Sequence, residues 1–157
     1  MDVCLINPPL DKQTTSKFPM SGAPVGIAQL AAYLRENKIE VSVIDSVVME
    51  YDHEKTAKEV EKLNPLIVGV SCLTENRYSA VKTLKEVKEK LPNALLIMGG
   101  LHPTFTDKLM LENYPFIDLI VRGEGELTLL ELVQRFKQKK DVYNLKGISF
   151  VKDGKFV

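Results

Sequence analysis

Cysteine is scarce in this chain, and the two that occur are far apart. Among the 157 residues only Cys4 and Cys72 are cysteines, too few for a disulfide framework or for a cluster of three or four local thiolates. Both lie among apolar residues, so we expect buried, reduced thiols. The sequence therefore excludes a disulfide-stabilised mini-protein and any iron–sulfur chemistry that depends on these thiolates alone.

The chain also lacks an excess of charge of one sign and lacks long apolar runs. Its 21 Lys and Arg residues balance 21 Asp and Glu residues, which gives no support for binding to nucleic acid or to an anionic membrane. The longest apolar run, residues 66–73, is far shorter than the ~20 residues that cross a bilayer. We find no signal-peptide pattern, because Asp2 precedes the first predicted strand and Asn7, Pro8 and Pro9 follow it. The sequence predicts a cytoplasmic protein with no membrane contact.

What the sequence does have is an alternation of short apolar runs with longer segments of helical periodicity. This pattern is typical of βα units around a parallel sheet, and 45% apolar residues suffice for one core. We predict a single flavodoxin-like α/β domain with a doubly wound, five-stranded parallel sheet in the order 2-1-3-4-5. The predicted strands are 3–6, 40–44, 66–71, 94–98 and 119–121, and the predicted helices are 24–37, 54–63, 77–91, 104–113 and 126–139.

The residues after Lys146 follow a different pattern. Asp153 and Gly154 separate two short apolar segments, 148–151 and 155–157, which is the signature of a type I′ hairpin turn. We therefore expect a βα core over residues 1–146 and a hairpin over 147–157 that could extend the sheet. Because the second strand stops soon after the turn, either this strand is short or the chain is a fragment of a longer protein.

A ligand site is expected where the strands end. Ligands of doubly wound sheets bind outside the carboxyl ends of the strands, at the crevice where the strand order reverses. For the order 2-1-3-4-5 this crevice lies between the first and third strands. The residues just past the strands are small, polar or turn-forming: Asn7, Pro8 and Pro9; Ser71, Cys72, Leu73 and Thr74; Gly99, Gly100, Leu101 and His102; and Arg122, Gly123, Glu124, Gly125 and Glu126.

Two of these segments admit both a structural and a functional interpretation. The hydroxyl groups of Ser71 and Thr74 could cap the third helix or contact a ligand, and the sequence leaves both open. Glycine at a strand end is costly unless a positive φ or a close approach to the backbone is required. Gly99 and Gly100 therefore indicate either a tight turn or a large group against the backbone, and a tight turn alone would account for one of them.

The titratable residues of these segments favour structural roles. His102 could be a general base, a metal ligand or a local hydrogen-bonding residue, but no second ligand is spaced to complete a metal site with it. Glu124 and Glu126 could be catalytic, yet acidic residues at the start of a helix are expected from the helix dipole. The sequence contains neither a G-x-G-x-x-G after the first strand, nor a P-loop lysine, nor a G-x-S-x-G elbow.

Taken in order, the strand-end segments resemble a known family. They are similar to the cobalamin-binding N-terminal domain of cobalamin-dependent radical-SAM enzymes, which include methyltransferases and the anaerobic magnesium-protoporphyrin monomethyl ester cyclase. The resemblance runs from residue 3 to about residue 150. The segments that carry it are residues 7–9, 24–35, 68–71, 99–104 and 121–126.

This resemblance implies that a corrin lies at the carboxyl edge of the sheet and that its nucleotide tail enters the core. Ser71 and Leu73 match an S-x-L sequence, and Gly99 and Gly100 match a G-G pair, that line the tail channel of related domains. The channel is then expected between strands one, three and four. The implied cofactor-contacting residues are Asn7, Pro8, Pro9, Ser71, Leu73, Thr74, Gly99, Gly100, His102, Thr104, Gly123 and Glu124.

One departure from related cobalamin domains concerns the metal. Domains of the methionine synthase type supply a cobalt-ligating histidine in a D-x-H-x-x-G motif after the first strand, whereas residues 11–16 of this chain contain no histidine. Neither His53 nor His102 matches the ligand position. The resemblance therefore implies cobalamin without a protein histidine on its lower face, and no metal-ligating residue in this chain.

A second departure concerns catalysis. The family binds S-adenosylmethionine and a 4Fe-4S cluster in a following barrel domain with a C-x-x-x-C-x-x-C motif, which this chain lacks. We expect the chain not to be an enzyme alone. It is then either the N-terminal part of a longer methyltransferase or cyclase, with the radical-SAM domain as its partner, or a stand-alone binding module. The alternative hypothesis is a flavodoxin-like small-molecule-binding, signalling or enzymatic domain that uses the same crevice without cobalamin.

Overall fold

A computed structural model describes residues 1–10 and 23–157 of the chain. The helices are α1 (Val25–Glu36), α2 (His53–Leu63), α3 (Arg77–Lys90), α4 (Leu101–Asn113) and α5 (Glu126–Lys137). The strands are β1 (Val3–Asn7), β2 (Val41–Asp45), β3 (Ile67–Ser71), β4 (Leu95–Gly99), β5 (Leu119–Val121), β6 (Ile148–Ser149), β7 (Val151–Lys152) and β8 (Lys155–Phe156).

The main sheet has six strands in the order β2-β1-β3-β4-β5-β6. Strands β1 to β5 are parallel to one another, which confirms the predicted flavodoxin-like order 2-1-3-4-5. Strand β6 adds to the edge of β5 in the antiparallel direction. The carboxyl ends of β1, β3, β4 and β5 therefore lie side by side along one edge of the sheet.

The C-terminal hairpin is present but is built differently from the prediction. The segment expected as one strand, 148–151, is divided, because Ile148–Ser149 belongs to the main sheet while Val151–Lys152 pairs with β8. Asp153 and Gly154 have φ values of 51° and 73°, as a type I′ turn requires. The hairpin pairing begins at Phe150, whose backbone N–H and carbonyl oxygen both bond Val157. Ser149 is buried in the main sheet, and its hydroxyl donates to Asp107 Oδ2 at 2.6 Å, which ties β6 to α4.

Two apolar layers enclose the sheet, one on each face. Successive side chains of a strand point to opposite faces, so Leu5 of β1 packs with α1 and α5 while Ile6 packs with α2 and α3. Both faces of β3 are covered, which accounts for its continuously apolar sequence. Cys4 and Cys72 are free and buried as predicted, and burial raises the pKa of both thiols to about 12.

Two helix starts differ from the sequence-based expectation. Ser71 and Thr74 do not cap α3; the residue before it is Asn76, whose Oδ1 accepts a hydrogen bond from the Leu73 N–H at 2.7 Å. Helix α4 begins at Leu101 rather than near Thr104. Pro103 fits in its first turn because the missing N–H of a proline has no intrahelical partner there. His102 is therefore inside the helix.

The described part of the chain contains no helix with the length and apolar character needed to cross a bilayer.

Candidate functional site

A cavity of about 800 Å³ opens at the carboxyl edge of the parallel strands. It begins at the ends of β1, β3, β4 and β5 and at the first turns of α1, α4 and α5, and it continues inward between the sheet and the layer formed by α1 and α5. Its volume is in the range of sites for small organic ligands. It includes the crevice between β1 and β3, where the strand order reverses.

Small residues form a groove along the floor of this cavity. The register places Gly69 of β3 beside Leu5 and Ile97, and Ser71 beside Gly99 of β4. Because side chains alternate between faces, Gly69, Ser71 and Gly99 all face α1 and α5. We call these three positions the small-residue track. It leads from the edge of the sheet inward to Gly69.

The inner end of the cavity is apolar. Much of its apolar lining comes from strand residues and from side chains of the two helices that face them: Leu5, Leu30, Gly69, Ile97, Val121 and Leu129. We call these six residues the inner chamber. None of them carries a polar side chain, and an apolar group that entered the chamber would lose contact with water.

The two adjacent glycines at the junction of β4 and α4 are required for different reasons. Gly100 has a φ of 104°, and a Cβ there would lie 2.6 Å from the carbonyl oxygen of Cys72, so the backbone itself requires glycine. A Cβ on Gly99 would meet only the Val121 carbonyl oxygen, at an ordinary 3.6 Å. The tight turn therefore accounts for Gly100. The fold does not require glycine at position 99, where a side chain would occupy the track.

A polar rim surrounds the mouth of the cavity. Three carboxylates, those of Glu75, Glu124 and Glu126, line it, and among the described lining residues there is no lysine, arginine or histidine. Asn7 lies at the end of β1, and its Nδ2 donates to Asp45 Oδ1 at 2.9 Å. Because a carboxylate can only accept, this bond orients the amide and leaves Asn7 Oδ1 as an acceptor for a ligand.

Apolar side chains at the mouth are unusually exposed. Leu10, Val25, Leu101 and Phe105 all line the cavity and lie on the surface, with Phe105 81% exposed. Contiguous exposed apolar groups next to a cavity indicate a surface that is covered by a ligand or by another protein segment. The mouth therefore combines apolar contact area with hydrogen-bond acceptors.

Nine of the twelve residues implied by the resemblance lie together in the cavity lining. They are Asn7, Pro8, Ser71, Leu73, Gly99, Gly100, Thr104, Gly123 and Glu124. Thr104 also joins two of the segments, since its hydroxyl donates to the Gly100 carbonyl oxygen at 2.8 Å and accepts from the Gly123 N–H at 3.0 Å. These two bonds connect the segment after β4 to the segment after β5 at the mouth of the cavity.

The other three, Pro9, Thr74 and His102, do not line the cavity. The carbonyl oxygen of Pro9 accepts a hydrogen bond from the Ser79 hydroxyl. His102 Nδ1 bonds Thr74 Oγ1 at 3.2 Å, the local role favoured from the sequence. Burial, with a smaller effect of the nearby Arg77 guanidinium, lowers the pKa of His102 below its usual value. No group of three or more potential metal ligands exists within residues 1–10 and 23–157.

Sequence reasoning missed Gly69 and the rest of the inner chamber. A signal for Gly69 existed, because a glycine in the middle of an apolar strand is costly and stands two residues from Ser71, on the same face. No sequence signal marked the other five, because an apolar residue that lines a cavity cannot be distinguished by sequence from any other core residue. These five are Leu5, Leu30, Ile97, Val121 and Leu129.

Comparisons of sequence identify a family and several relatives. The sequence profile of the B12 binding domain matches residues 12–133. An uncharacterized methyltransferase of Pyrococcus horikoshii is 35% identical over 155 residues, with 99% of this chain and 34% of the relative covered. The anaerobic magnesium-protoporphyrin IX monomethyl ester cyclase of Cereibacter sphaeroides is 36% identical over 135 residues, with 83% and 22% covered. The chain thus spans about a third or less of the length of these relatives.

Solved structures show the same fold. The cobalamin-dependent S-adenosylmethionine radical enzyme OxsB, with aqua-cobalamin and S-adenosylmethionine bound, superposes with a TM-score of 0.85 at 26% identity, covering 99% of this chain and 21% of that chain. The radical S-adenosylmethionine methyltransferase TsrM of Kitasatospora setae, with cobalamin and a 4Fe-4S cluster bound, superposes at 0.82 and 22% identity, covering 100% and 30%. The likeness to TsrM concerns the fold alone.

Proposed function

This chain belongs to the B12-binding domain family, and we propose that it binds cobalamin as the corrinoid module of a longer cobalamin-dependent radical-SAM enzyme. The observation that carries the proposal is the cavity of about 800 Å³. Its small-residue track leads from an apolar, partly exposed mouth into an apolar inner chamber. A ligand with a broad ring system and a narrow tail fits this shape.

The described residues suit the chemistry of each part of cobalamin. The corrin carries primary amides, for which the oriented Asn7 carbonyl oxygen and the carboxylates of the rim are acceptors. Leu101 and Phe105 offer apolar contact area at the mouth. The hydroxyl of Ser71 stands beside Gly99 on the track, where it can hydrogen-bond the tail. Bound cobalt would supply the centre for methyl transfer or related radical chemistry, while the chain's own residues hold the corrinoid and exclude water from its tail.

The rim disfavours the second hypothesis, a flavodoxin-like domain for another ligand. Flavin mononucleotide would bring a dianionic phosphate to the mouth, and NAD a pyrophosphate with two negative charges. Glu75, Glu124 and Glu126 would repel either group, and no described lysine or arginine of the lining would neutralise it. Cobalamin carries only a monoanionic phosphodiester, on its tail. No feature of the described residues favours the alternative.

The rest of the enzyme lies outside this chain. The relatives described above by sequence are a methyltransferase and a cyclase, and this chain covers about a third or less of each. We propose that a radical-SAM domain of the same parent protein supplies S-adenosylmethionine and a 4Fe-4S cluster and covers the exposed mouth of the cavity. The chain then serves as a binding module that is not catalytic alone.

Titration with hydroxocobalamin tests the proposed function. We expect the visible absorbance of the corrinoid to change until about one equivalent is bound, and the complex to survive gel filtration. Flavin mononucleotide and NAD serve as controls and are expected not to bind, because the rim repels phosphate. An unchanged corrinoid spectrum with no co-elution would refute the proposal, and retention of flavin mononucleotide instead would establish the second hypothesis.

Bound cob(II)alamin is expected to carry no histidine on its lower face. A cobalt-ligating imidazole must approach to about 2 Å, as in other metal–nitrogen bonds, but His102 bonds Thr74 and is not among the lining residues. The electron paramagnetic resonance spectrum of the complex should therefore be the same in wild type and in His102→Ala. His53→Ala is the matched control, because His53 begins α2 and is not among the residues that line the cavity. Loss of a one-nitrogen splitting in His102→Ala alone would identify His102 as the ligand.

A further inference from the structure

A pair of side chains at the ends of β1 and β2 gives the mouth of the cavity a direction of hydrogen bonding. Asn7 lines the cavity, whereas its partner Asp45 does not. We propose that Asp45 is a positioning residue that fixes the Asn7 amide as an acceptor, so that the mouth selects corrinoids with amide side chains over those with carboxylate side chains. This inference rests on the proposed function and extends it to the class of corrinoid taken.

The backbone places the two side chains next to each other. Strands β1 and β2 are parallel, and their register pairs Asn7 directly with Asp45. The Ser46 N–H donates to the backbone carbonyl oxygen of Asn7 at 3.0 Å, which continues the ladder one residue past β2. The backbone of Asn7 is therefore fixed, and only the orientation of its side-chain amide remains to be set.

A turn holds the Asp45 carboxylate in place. Asp45 Oδ1 accepts from the backbone N–H groups of Val47 at 3.2 Å and Val48 at 3.4 Å, in addition to Asn7 Nδ2 at 2.9 Å. An aspartate that accepts from the backbone two residues further on is a typical turn-forming residue. The carboxylate that meets Asn7 therefore has a position set by the backbone around it.

The bond between the two side chains has only one possible direction. An ionised carboxylate accepts and does not donate, so Asn7 must offer its NH2 group to Asp45. Rotating the amide by half a turn would bring two acceptor oxygens together and would lose a charge-assisted hydrogen bond. Asn7 Oδ1 is thus left for the ligand in a fixed orientation.

A fixed acceptor at the mouth distinguishes an amide from a carboxylate. An amide of the corrin can donate to Asn7 Oδ1, but a carboxylate at the same place presents only acceptors and a negative charge. The rim carboxylates of Glu75, Glu124 and Glu126 add repulsion, because the described lining contains no lysine, arginine or histidine. A corrinoid with a carboxylate facing Asn7 would therefore lose a hydrogen bond and meet charges of its own sign.

The wild-type protein tests the selection with cobalamin and its three monocarboxylic acids, in which the b, d or e propionamide is replaced by a propionate. Dissociation constants come from absorbance titrations near neutral pH, where a propionate is ionised. We expect at least one acid to bind at least about tenfold more weakly than cobalamin, the effect of a lost hydrogen bond and a charge repulsion. Equal affinities for cobalamin and all three acids would overturn the inference.

Asp45→Asn tests whether this residue sets the preference. An asparagine at position 45 can donate as well as accept, so the Asn7 amide can then present either of its groups to the ligand. The preference for cobalamin over the most disfavoured acid should fall to about threefold or less, because one orientation of the amide now donates to the carboxylate. A merely structural role of Asp45 would weaken cobalamin and the acid alike, and an unchanged ratio would therefore contradict the inference.

Asp52→Asn is the matched control for this variant. Asp52 also accepts from a backbone N–H, that of Lys55 at 2.7 Å, but it lies at the start of α2 and does not line the cavity. The substitution removes the same charge and leaves the bond between Asp45 and Asn7 in place. We expect it to retain the wild-type preference for cobalamin; a preference that falls as far as in Asp45→Asn would assign the effect to net charge and contradict the inference.

Exchanging the two side chains should restore the preference. In the double variant Asn7→Asp/Asp45→Asn, the amide introduced at position 45 can donate to the carboxylate introduced at position 7. The second oxygen of that carboxylate is again an acceptor for the ligand. We expect the acid to be disfavoured at least about tenfold once more, and a double variant with no greater preference than Asp45→Asn would contradict the role assigned to the pair.

The outcomes separate the inference from the proposed function. Binding of cobalamin together with indifference to the acids overturns only the selection by the mouth. Failure of cobalamin and all three acids to bind wild type overturns the proposed function and the inference with it. Each variant is checked for folding by circular dichroism, and should Asp45→Asn not fold, the wild-type series decides.

Discussion

Gly99→Leu is expected to weaken cobalamin binding at least about 100-fold, equivalent to about 3 kcal/mol, in a protein that still folds. Gly99 forms the track together with Ser71 and Gly69, and its Cβ position faces the cavity with only the Val121 carbonyl oxygen nearby, at 3.6 Å. A leucine side chain would therefore extend into the open track without displacing the backbone. It would occupy the space through which the tail reaches the inner chamber.

A graded series makes this experiment decisive. Gly99→Ala adds one methyl group at a permitted distance and should cost less affinity than Gly99→Leu. Ala32→Leu, on the exposed face of α1, introduces the same side chain away from the cavity and should bind as wild type does. Affinity is measured by absorbance titration with hydroxocobalamin, and folding by thermal unfolding. Wild-type affinity in a folded Gly99→Leu protein would show that the tail does not follow the track.

Gly100→Ala should instead destabilise the protein, by about 3 kcal/mol or more in the free energy of unfolding. With φ 104° and ψ −177°, Gly100 occupies a region of backbone conformation that is essentially reserved for glycine. The added Cβ would also lie 2.6 Å from the Cys72 carbonyl oxygen. That oxygen cannot move away easily, because it accepts the His102 N–H at 3.2 Å while the Cys72 N–H donates to the Gly99 carbonyl oxygen at 2.8 Å.

Urea-induced unfolding measures the effect of Gly100→Ala, and Gly99→Ala is its natural control. The two variants add the same methyl group to adjacent residues. We expect a large loss of stability only at position 100, and a loss of cofactor affinity without a large loss of stability at position 99. A Gly100→Ala protein within 1 kcal/mol of wild type would contradict the structural requirement for glycine, since the strain and the clash should together exceed that value.

Apolar runs and turn-forming residues in the sequence predicted the strands and helices that position the site. Apolar runs bounded by turn residues located all five parallel strands, and Leu119–Val121 has the predicted bounds. The order 2-1-3-4-5 followed from the alternation of strands and helices and from the right-handed crossover. The turn at Asp153 and Gly154 was recognisable because few dipeptides tolerate two successive positive φ values. These are local properties, or rules that apply to every chain of this type.

The candidate site could be predicted only in part. Nine residues implied by the resemblance do line the cavity, because strand ends of a parallel sheet necessarily meet at one edge. Thr74 and His102 were predicted to contact the cofactor as well; they bond each other and do not line the cavity. The direction of a side chain near a strand end depends on partners from distant segments, and the sequence of one segment does not contain that information.

The sequence by itself determined the class of fold, the edge at which a ligand binds, and the absence of the thiolates that a cluster of its own would need. Only the tertiary structure decided that Gly100 serves the backbone while Gly99 leaves space, that Asp45 orients Asn7, and that Gly69 closes an apolar chamber. The physical reason is that hydrophobic periodicity reports which residues avoid water. Whether those residues touch each other or enclose a void depends on how closely α1 and α5 approach the sheet, which is a property of the assembled layers.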